Sequence, residues 1–379
     1  MEYDVVVAGG SIAGLLCARE IAAAGHSVLV LEQDHEIGTP QHCGGMLSRR
    51  ALERLGIVPS VDMAGNAVTS AVLVAPGGRS VTVKSGGVLE VDRRALDKYA
   101  AAQAQRVGAT VRVGATFRGA HEGGARTSMG DIPCRVIVDA RGAAALAPGP
   151  DMLVSAQYEV QAAWIRRGRV VVMLDQAKYP GFFAWVIPSG AGRGKVGVAG
   201  RRINAQAEME GLLSRLGGGS VLRKIAAPIW VGGPIGRFVQ GNVVVAGDAA
   251  GQSKPTTGGG IYSSGTGGML AGRAVSKYLE TGEAADLDYR PTWMDIFGRE
   301  FEAQRAARRI LERLDNGAID GMVESIRPQD VRAASVGDFD FHAGSILSLL
   351  GMRGAAKMAG AITASEMRRL LGRARRPGA

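Results

Sequence analysis

The pattern that most constrains the fold lies in the first 32 residues. A continuous apolar run at residues 3–8 is typical of a parallel strand that is buried on both faces. The glycine-rich segment GGSIAG at residues 9–14 follows it, and a helical apolar pattern then continues as far as Gly25. A second strand pattern at residues 27–31 ends in Glu32. This order of strand, turn, helix, strand and acid is the context that a dinucleotide-binding fingerprint requires.

The residue types in this turn have defined physical roles in such a fingerprint. Gly9 permits a tight turn, Gly14 lets the helix pack closely on the strand, and free N–H groups at the helix start can bind a pyrophosphate. Glu32 can accept hydrogen bonds from a ribose diol. Ser11 occupies the middle position, so the pattern is G-x-S-x-x-G. The motif predicts a bound dinucleotide without choosing between NAD and FAD, and a glycine-rich βαβ unit without a ligand is the alternative.

Composition indicates a soluble globular protein of two or three domains. Of 379 residues, 46% are hydrophobic and 21% are charged. Three cysteines cannot form a disulfide framework, so we expect a reducing, cytoplasmic setting. No secretory signal and no run of 18 uncharged apolar residues is recognised. The five histidines have no metal-ligand spacing with one another or with cysteine, so no metal is expected.

Two later segments repeat the pattern of a strand that runs into an acid and a glycine. The strand pattern at residues 136–139 ends in Asp139, and the turn residue Gly142 follows. Residues 242–246 form another strand pattern, and Asp248 comes directly after Gly247. Between residues 241 and 272, 10 of 32 residues are glycine, and a long helix of small residues is predicted there. Such density predicts that backbone N–H groups closely approach an anionic or electron-rich ligand.

The order of these motifs resembles the glutathione-reductase-type FAD fold of aromatic hydroxylases. Within that superfamily the chain most resembles the geranylgeranyl reductases, including the archaeal digeranylgeranylglycerophospholipid reductases. Three segments are similar to that family's patterns: CGGMLS at residues 43–48, FAWVIP at 183–188, and the Asp, Pro and GGGI spacing of 248–261. The resemblance covers residues 1–285. It implies an α/β fold with a Rossmann-like FAD-binding domain, an inserted β-rich substrate domain and a helical C-terminal region.

The resemblance also implies which residues contact FAD. Ala13 and Gly14 would lie at the pyrophosphate and Glu32 at the adenosine ribose, while Phe117 would lie beside the adenine. Asp248 would bind the ribityl chain, and backbone amides at Gly260 and Ile261 would face the isoalloxazine. The full set of expected cofactor-binding residues is Gly9, Ser11, Ala13, Gly14, Glu32, Cys43, Gly44, Arg93, Phe117, Asp139, Gly142, Asp248, Gly259, Gly260 and Ile261.

The implied reaction saturates carbon–carbon double bonds in the geranylgeranyl chains of membrane ether lipids, with hydride from reduced flavin. Cys43 and Trp185 are the expected catalytic residues; a buried structural thiol is the alternative for Cys43. Four aromatics within residues 179–185 fit an apolar tunnel for an isoprenoid, or they fill a core beneath a sheet. The sequence departs from the family where Met46 replaces a glycine, Phe183 a tyrosine and Ile187 a phenylalanine, which leaves the prenyl substrate open.

Other functions on this fold stay open. A flavin-dependent monooxygenase or halogenase is the first alternative, since FAWVIP partly matches a halogenase segment. The second alternative is a non-catalytic protein that binds FAD or lipid. No second dinucleotide fingerprint follows a strand, so electrons would come from NAD(P)H bound transiently or from a small redox protein.

The C-terminal part of the chain is basic and has helical patterns at residues 299–314, 345–364 and 366–375. Residues 353–379 contain seven Lys and Arg against one acid. Without aromatics or a recognisable nucleic-acid fold, binding to nucleic acid is not expected. We expect peripheral contact with anionic lipid on the inner face of the cell membrane, and a disordered basic tail is the alternative.

These patterns predict three regions. The FAD-binding domain is discontinuous and takes residues 1–60, 90–149 and 237–285. The substrate domain takes residues 61–89 and 150–236. The helical basic region takes residues 286–379.

Overall fold

A computed structural model describes residues 3–60, 63–346 and 349. The chain divides into two compact units. Unit 1 consists of the residues up to Gly65 together with Val91–Met152 and Pro228–Glu302. Unit 2 consists of Asn66–Glu90, Leu153–Ala227 and the residues from Ala303 onward. The helical region that the sequence sets apart from residue 286 is thus shared between the two units.

Unit 1 contains nine strands and five helices among its described residues, the last helix running on beyond Glu302. The strands are β1 (Tyr3–Ala8), β2 (Val28–Leu31), β3 (Met46–Ser48), β6 (Thr110–Arg112), β7 (Phe117–His121), β8 (Gly124–Thr127), β9 (Gly130–Asp139), β15 (Val239–Gln240) and β16 (Val243–Val245). The helices are α1 (Ile12–Ala23), α2 (Arg49–Arg54), α3 (Arg93–Arg106), α5 (Ile261–Thr281) and α6 (Arg290–Leu311).

The centre of unit 1 is a mostly parallel sheet with strand order β15-β16-β9-β1-β2-β6. Strand β15 pairs antiparallel with β16, and the other neighbours in this order pair in parallel. Strand β1 lies between β9 and β2, and its residues Val5, Val6 and Val7 have no exposed surface. Burial on both faces is why this strand reads as a continuous apolar run. The strands and the helix predicted within residues 3–31 are confirmed to within about one residue.

Helix α5 packs against α1 through glycines. A Cβ atom on Gly268 would lie 2.0 Å from the Ala13 carbonyl oxygen, and one on Gly272 would lie 2.6 Å from the Cys17 carbonyl oxygen. The long helix of small residues is confirmed, but these glycines serve contact between two helices. The prediction that the whole glycine-rich region of residues 241–272 faces a ligand is therefore too broad.

Unit 2 is built on an antiparallel-rich sheet whose strands follow the order β14-β10-β13-β12-β11-β4-β5. These strands are β4 (Ala64–Val74), β5 (Ser80–Val91), β10 (Met152–Gln161), β11 (Arg169–Met173), β12 (Ala184–Gly190), β13 (Arg193–Gly200) and β14 (Ser220–Trp230). Its described helices are α4 (Ala205–Arg215), α7 (Asn316–Ser325) and α8 (Pro328–Ser335). Alternate residues of β10, β12 and β13 form one core with Met209 and Leu212 of α4.

Helix α6 begins nine residues before the helix that the sequence predicts from Arg299. Its first half places Trp293, Phe297 and Phe301 four residues apart on one buried face, with neighbouring ring centroids 5.0–6.2 Å apart. This aromatic stripe belongs to the core of unit 1. The two later helices predicted at residues 345–364 and 366–375 fall almost entirely outside the described residues.

Candidate cofactor site

The turn between β1 and α1 has the close packing that a phosphate-binding turn needs. Gly9 has φ +114°, and a Cβ atom there would lie 2.3 Å from the Ala140 carbonyl oxygen. A Cβ atom on Gly14 would lie 2.1 Å from the Gly9 carbonyl oxygen. Because only glycine fits at both positions, the turn stays tight and the start of α1 comes close to the carboxyl end of β1.

Glu32 lies where β2 ends and is tied to the same turn. One of its carboxylate oxygens accepts a hydrogen bond from the Gly10 N–H at 2.8 Å. The other accepts one from the Asp34 N–H at 2.9 Å. Since each carboxylate oxygen has two lone-pair sites, the group can still accept hydrogen bonds from a ribose diol.

Ser11 is the N-cap residue of α1 and forms hydrogen bonds with a buried ion pair. Arg93 and Asp97, both almost fully buried on α3, form a salt bridge with a nitrogen–oxygen distance of 2.9 Å. The Ser11 hydroxyl accepts a hydrogen bond from Arg93 at 2.9 Å and donates one to Asp97 at 3.3 Å. Burial disfavours the charge of Arg93, but Asp97 and Cys43 outweigh that effect and raise its pKa above the usual value. A permanent positive charge therefore lies next to the turn.

Cys43 is half-buried and lies against this positive charge. Its sulfur accepts a hydrogen bond from the Gly45 N–H at 3.3 Å, and its side chain is also a hydrogen-bond partner of Arg93. In the chain, Gly44 separates Cys43 from Gly45, and His42, which precedes Cys43, is exposed. Cys43 is thus not a wholly buried packing residue, whereas Cys17 and Cys134 are buried in the core.

Asp248 lies in the 3-10 helix Gly247–Ala250 that follows β16. Its carboxylate accepts a hydrogen bond from the Ser264 hydroxyl at 2.9 Å, and a Cβ atom on Gly260 would lie 2.9 Å from the same oxygen. Burial raises the pKa of Asp248, against the opposing effects of Ser264 and Arg93. Ser264 and Gly260 thus hold this carboxylate beside the start of α5.

The loop before α5 is closed by its own backbone. Lys254 donates its N–H to the Gly259 carbonyl oxygen and accepts from the Gly258 N–H, both at 2.8 Å. Helix α5 then starts at Ile261 after Gly260, which provides no side-chain cap. The first N–H groups of a helix have no partner within the helix, so those at Ile261 and the next residues can donate to an electron-rich ligand.

Asp139 ends β9 and holds an arginine in place. Arg141 donates to both Asp139 oxygens, from Nε at 2.9 Å and from Nη2 at 2.7 Å. Its guanidinium carbon lies 5.0 Å from the centre of the Phe117 ring. Gly142, with φ +75°, begins the 3-10 helix Gly142–Ala145 directly after this arginine.

All of the expected cofactor-binding residues belong to unit 1, and most lie in or beside three connected clusters. These are the Gly9–Glu32 turn, the Ser11–Arg93–Cys43 group and the Asp139–Arg141–Phe117 group. Trp185, the second expected catalytic residue, belongs to unit 2. Its role in catalysis stays a prediction.

Trp185 lies flat across a glycine on the neighbouring strand. A Cβ atom on Gly197 would lie 2.2 Å from the indole Cζ2, and the indole N–H donates to Gln157 at 3.1 Å. Phe183 meets Trp185 edge to face, with ring centroids 6.1 Å apart, and stacks on Phe182 at 4.1 Å. Trp185 is therefore fixed in orientation by strands of its own unit.

The residues present in unit 1 fit a dinucleotide. The Gly9 and Gly14 positions leave no room for side chains, Glu32 is suited to a ribose, and Arg93 supplies positive charge. Among the described residues, no group of three or more acidic, His or Cys side chains could hold a metal ion. No helix within the described ranges is long and apolar enough to cross a membrane.

Sequence reasoning missed the roles of three residues at this site. Asp97 follows Arg93 by four positions on a predicted helix, a spacing that signals an ion pair. Arg141 stands between Asp139 and Gly142, both of which are predicted to bind the cofactor, and the signal for Arg141 is an acid two residues before it. For Ser264, four residues after Gly260, the sequence offers no comparable signal.

Comparison with known proteins agrees with this geometry. Residues 7–50 match the model of the NAD(P)-binding Rossmann-like domain family. Digeranylgeranylglycerophospholipid reductase 2 of Methanothermobacter thermautotrophicus is 31% identical over 88% of this chain and 94% of its own. Digeranylgeranylglycerophospholipid reductase 1 of Methanopyrus kandleri is also 31% identical, over 83% of this chain and 92% of its own.

Solved structures share the fold at lower identity. A geranylgeranyl bacteriochlorophyll reductase-like protein from Thermoplasma acidophilum superposes with a TM-score of 0.77 and 21% identity, covering 98% of this chain and 99% of its own. A flavin-dependent brominase gives a TM-score of 0.65 at 16% identity, covering 97% and 100%. From the two relatives at 31% identity and their nearly complete coverage, we conclude that the chain belongs to the geranylgeranyl reductase family of FAD-dependent oxidoreductases.

Proposed function

We propose that this protein is an FAD-dependent reductase that saturates the carbon–carbon double bonds of geranylgeranyl chains in membrane ether lipids. The observation that carries the proposal is its similarity, at 31% identity over most of both chains, to digeranylgeranylglycerophospholipid reductases. The dinucleotide turn, the acid after β2 and the buried arginine beside them support a flavin nucleotide as cofactor.

FAD, when bound, would supply the hydride for an otherwise unreactive alkene. The residues of unit 1 would bind and orient it. The first N–H groups of α1, at Ala13 and Gly14, would donate to the pyrophosphate, and Glu32 would accept from the adenosine ribose. Asp248 would accept from the ribityl chain, because Ser264 holds its carboxylate at the start of α5.

Saturating an alkene also needs a proton, and Cys43 is the residue that we propose for holding it at Sγ. The thiol is half-buried and has both the Gly45 N–H and Arg93 as hydrogen-bond partners. This assignment rests on the family resemblance and on these contacts.

For the prenyl chain, the aromatics of unit 2 divide into two groups. Tyr179 is 2% exposed, lies in the core beneath α4 and accepts a hydrogen bond from Arg215 at 2.8 Å, so it fills a core as the alternative interpretation held. Phe183 and Trp185 meet edge to face beside it in sequence. We propose this second group for contact with the isoprenoid.

The reduction can be tested without oxygen. Purified holoenzyme, reduced with dithionite under argon, would be incubated with an ether lipid that has unsaturated geranylgeranyl chains, and the lipid analysed by mass spectrometry. We expect a gain of two hydrogens per double bond. Absence of any gain in the lipid, with bound and reduced FAD confirmed by the visible spectrum, would contradict the proposal.

The same experiment separates the reductase from a monooxygenase or halogenase. Brominase and halogenase structures share the fold at 16% identity, which shows no more than the architecture. A product that forms only after air is admitted, with a mass gain of one oxygen or one halogen, would favour that alternative. A colourless preparation that binds no added FAD would exclude both enzymes.

Two partners complete the proposal. The electron donor would be NAD(P)H bound transiently or a small redox protein, and stopped-flow reduction of the bound flavin by NADH and NADPH would distinguish them. Peripheral contact with anionic lipid would involve the basic residues 353–379, which lie outside the described part of the chain.

A further inference from the structure

We infer that Arg141 contacts the adenosine half of FAD and makes the site selective for FAD over FMN, with Asp139 as the residue that positions it. This inference rests on the proposed use of FAD. It gives Asp139 a different role from direct contact with the cofactor, and it adds a residue that no family pattern above assigns.

The guanidinium of Arg141 is held in one plane. Its two nitrogens donate to the two oxygens of Asp139 at 2.9 and 2.7 Å, and the Arg141 N–H also donates to Asp139 at 3.2 Å. These hydrogen bonds raise the pKa of Arg141 above its usual value. A paired fork of this kind fixes direction as well as distance, so little side-chain entropy is left to lose when a ligand arrives.

One face of the Arg141 guanidinium packs on the Phe117 ring, and the exposed surface of the side chain can contact a ligand. The guanidinium carbon is 5.0 Å from the centre of the Phe117 ring, and Phe117 is itself buried. The Arg141 side chain nevertheless keeps 40% of its surface exposed, against 13% for Asp139. A flat cation with a free face stacks well on a purine ring.

The position of Arg141 matches the adenosine half of a dinucleotide. Strand β9 lies directly beside β1, and the backbone nitrogen of Arg141 is 3.2 Å from where a Cβ atom on Gly9 would be. Glu32, the ribose acid, follows β2 on the other side of β1. Dinucleotides bind outside the carboxyl ends of such parallel strands, so Arg141 borders the same crevice as the phosphate turn and the ribose acid.

FMN provides the discriminating probe because it has the flavin and one phosphate but no adenosine. The apoprotein would be titrated with FAD and with FMN, and binding followed by quenching of flavin fluorescence. For Arg141→Ala we expect FAD to bind about 5- to 30-fold more weakly, the size of a stacked cation contact. FMN binding should change by less than about twofold, so the selectivity for FAD falls.

Three variants serve as comparisons. Arg141→Lys keeps the charge without the planar fork, and we expect it to resemble Arg141→Ala in FAD affinity. Asp139→Asn weakens the fork, and we expect an intermediate loss that again spares FMN. Arg126→Ala removes an exposed arginine whose nearest acid, Asp131, is 4.0 Å away, and should leave both affinities unchanged.

Each other outcome overturns the inference. Equal losses for FAD and FMN in Arg141→Ala would mean that the residue supports the fold of the site and does not contact adenosine. Unchanged FAD affinity in Arg141→Ala would mean that Arg141 makes no contact with FAD. Wild-type affinity in Arg141→Lys would mean that the positive charge alone matters and that no stacking occurs. If the wild-type apoprotein bound no FAD, the proposed function would fail instead, before Arg141 was tested.

Discussion

Ser11 occupies the position of the middle glycine in a dinucleotide-binding turn, and its side-chain contacts explain why a serine fits there. The middle glycine of a dinucleotide fingerprint lets the backbone approach the pyrophosphate. Here the Ser11 side chain turns toward α3, where it contacts both members of the buried Arg93–Asp97 pair. A serine is compatible with the turn because its hydroxyl is taken up by this pair, a compensation that no reading of residues 9–14 alone can reveal.

For Cys43 we expect Cys43→Ala to keep FAD bound and to lower the turnover of double-bond reduction by roughly 100-fold or more, the lower end of the range for a lost proton-transfer group. Anaerobic lipid turnover and the flavin spectrum would be measured together. Cys134→Ala, which changes a buried thiol that lies in the core, is the matched control. Unchanged turnover in Cys43→Ala would leave Cys43 with a packing role only.

Trp185 can be tested against a second tryptophan of the same unit. Trp185→Phe removes the hydrogen bond to Gln157 and part of the ring that covers Gly197, and we expect turnover to fall at least fivefold. Trp164→Phe removes a similar hydrogen bond, from the indole N–H to the Gly218 carbonyl oxygen at 2.7 Å, and should change turnover little. Similar losses in both variants would indicate a general effect on the fold of unit 2.

Among the strands and helices, the hydrophobic pattern of the sequence predicted those in which nearly every residue of a run is buried. Strand β1 and helix α1 follow from an apolar run and a glycine stop, because β2 and β9 pair with the two edges of β1 and both of its faces are buried. The start of α6 was missed since its aromatic stripe lies among charged residues, and α7 and α8 are short and polar. Glycine density predicts close approach of the backbone to a neighbour, and in α5 that neighbour is another helix, α1.

The contact between α1 and α5 gives a prediction for stability. Gly268→Ala places a Cβ atom 2.0 Å from the Ala13 carbonyl oxygen, so the helices must separate, and we expect a loss of about 1–3 kcal/mol in the free energy of unfolding. FAD affinity should also fall, because α1 begins at the phosphate turn.

Gly321→Ala is the matched control on another helix. Nothing lies within 4 Å of a Cβ atom at this position of α7, so alanine should stabilise the helix by about 0.5–1 kcal/mol. Urea unfolding of both variants gives the two signs directly. Equal effects would mean that helix propensity, and not the close contact, governs both sites.

At the scale of the whole molecule, three separate stretches of chain build unit 1 and three build unit 2. The sequence motifs pointed to all three pieces of unit 1 because each contains a strand of one sheet that runs into a glycine or an acid at its carboxyl end. The candidate site residues of unit 1 were predicted in this way, and their contact with a cofactor stays a prediction. The pairing of Arg141 with Asp139 and Phe117 could not, since it depends on how β7 and β9 are placed in space.

The basic C-terminal residues give a prediction for the full chain. Removing the residues after about 365 deletes five of the seven basic residues counted from Arg353. We expect the truncated protein to sediment less with liposomes that contain anionic lipid at low salt, because each basic residue near such a surface contributes about 1 kcal/mol. Neutral liposomes serve as the control, and equal sedimentation of both forms on anionic liposomes would contradict the prediction.

The discontinuity of unit 1 has a consequence for how the protein is made. Strand β9 pairs with β1 on one side and with β16 on the other, and α5 packs on α1. The phosphate turn is translated first and its neighbour Ala140 follows in Val91–Met152, but α5, which packs on α1, arrives only with Pro228–Glu302. In a nascent chain, α1 therefore lacks the helix that packs on it until late in translation, and chaperone binding should persist until that third segment leaves the ribosome.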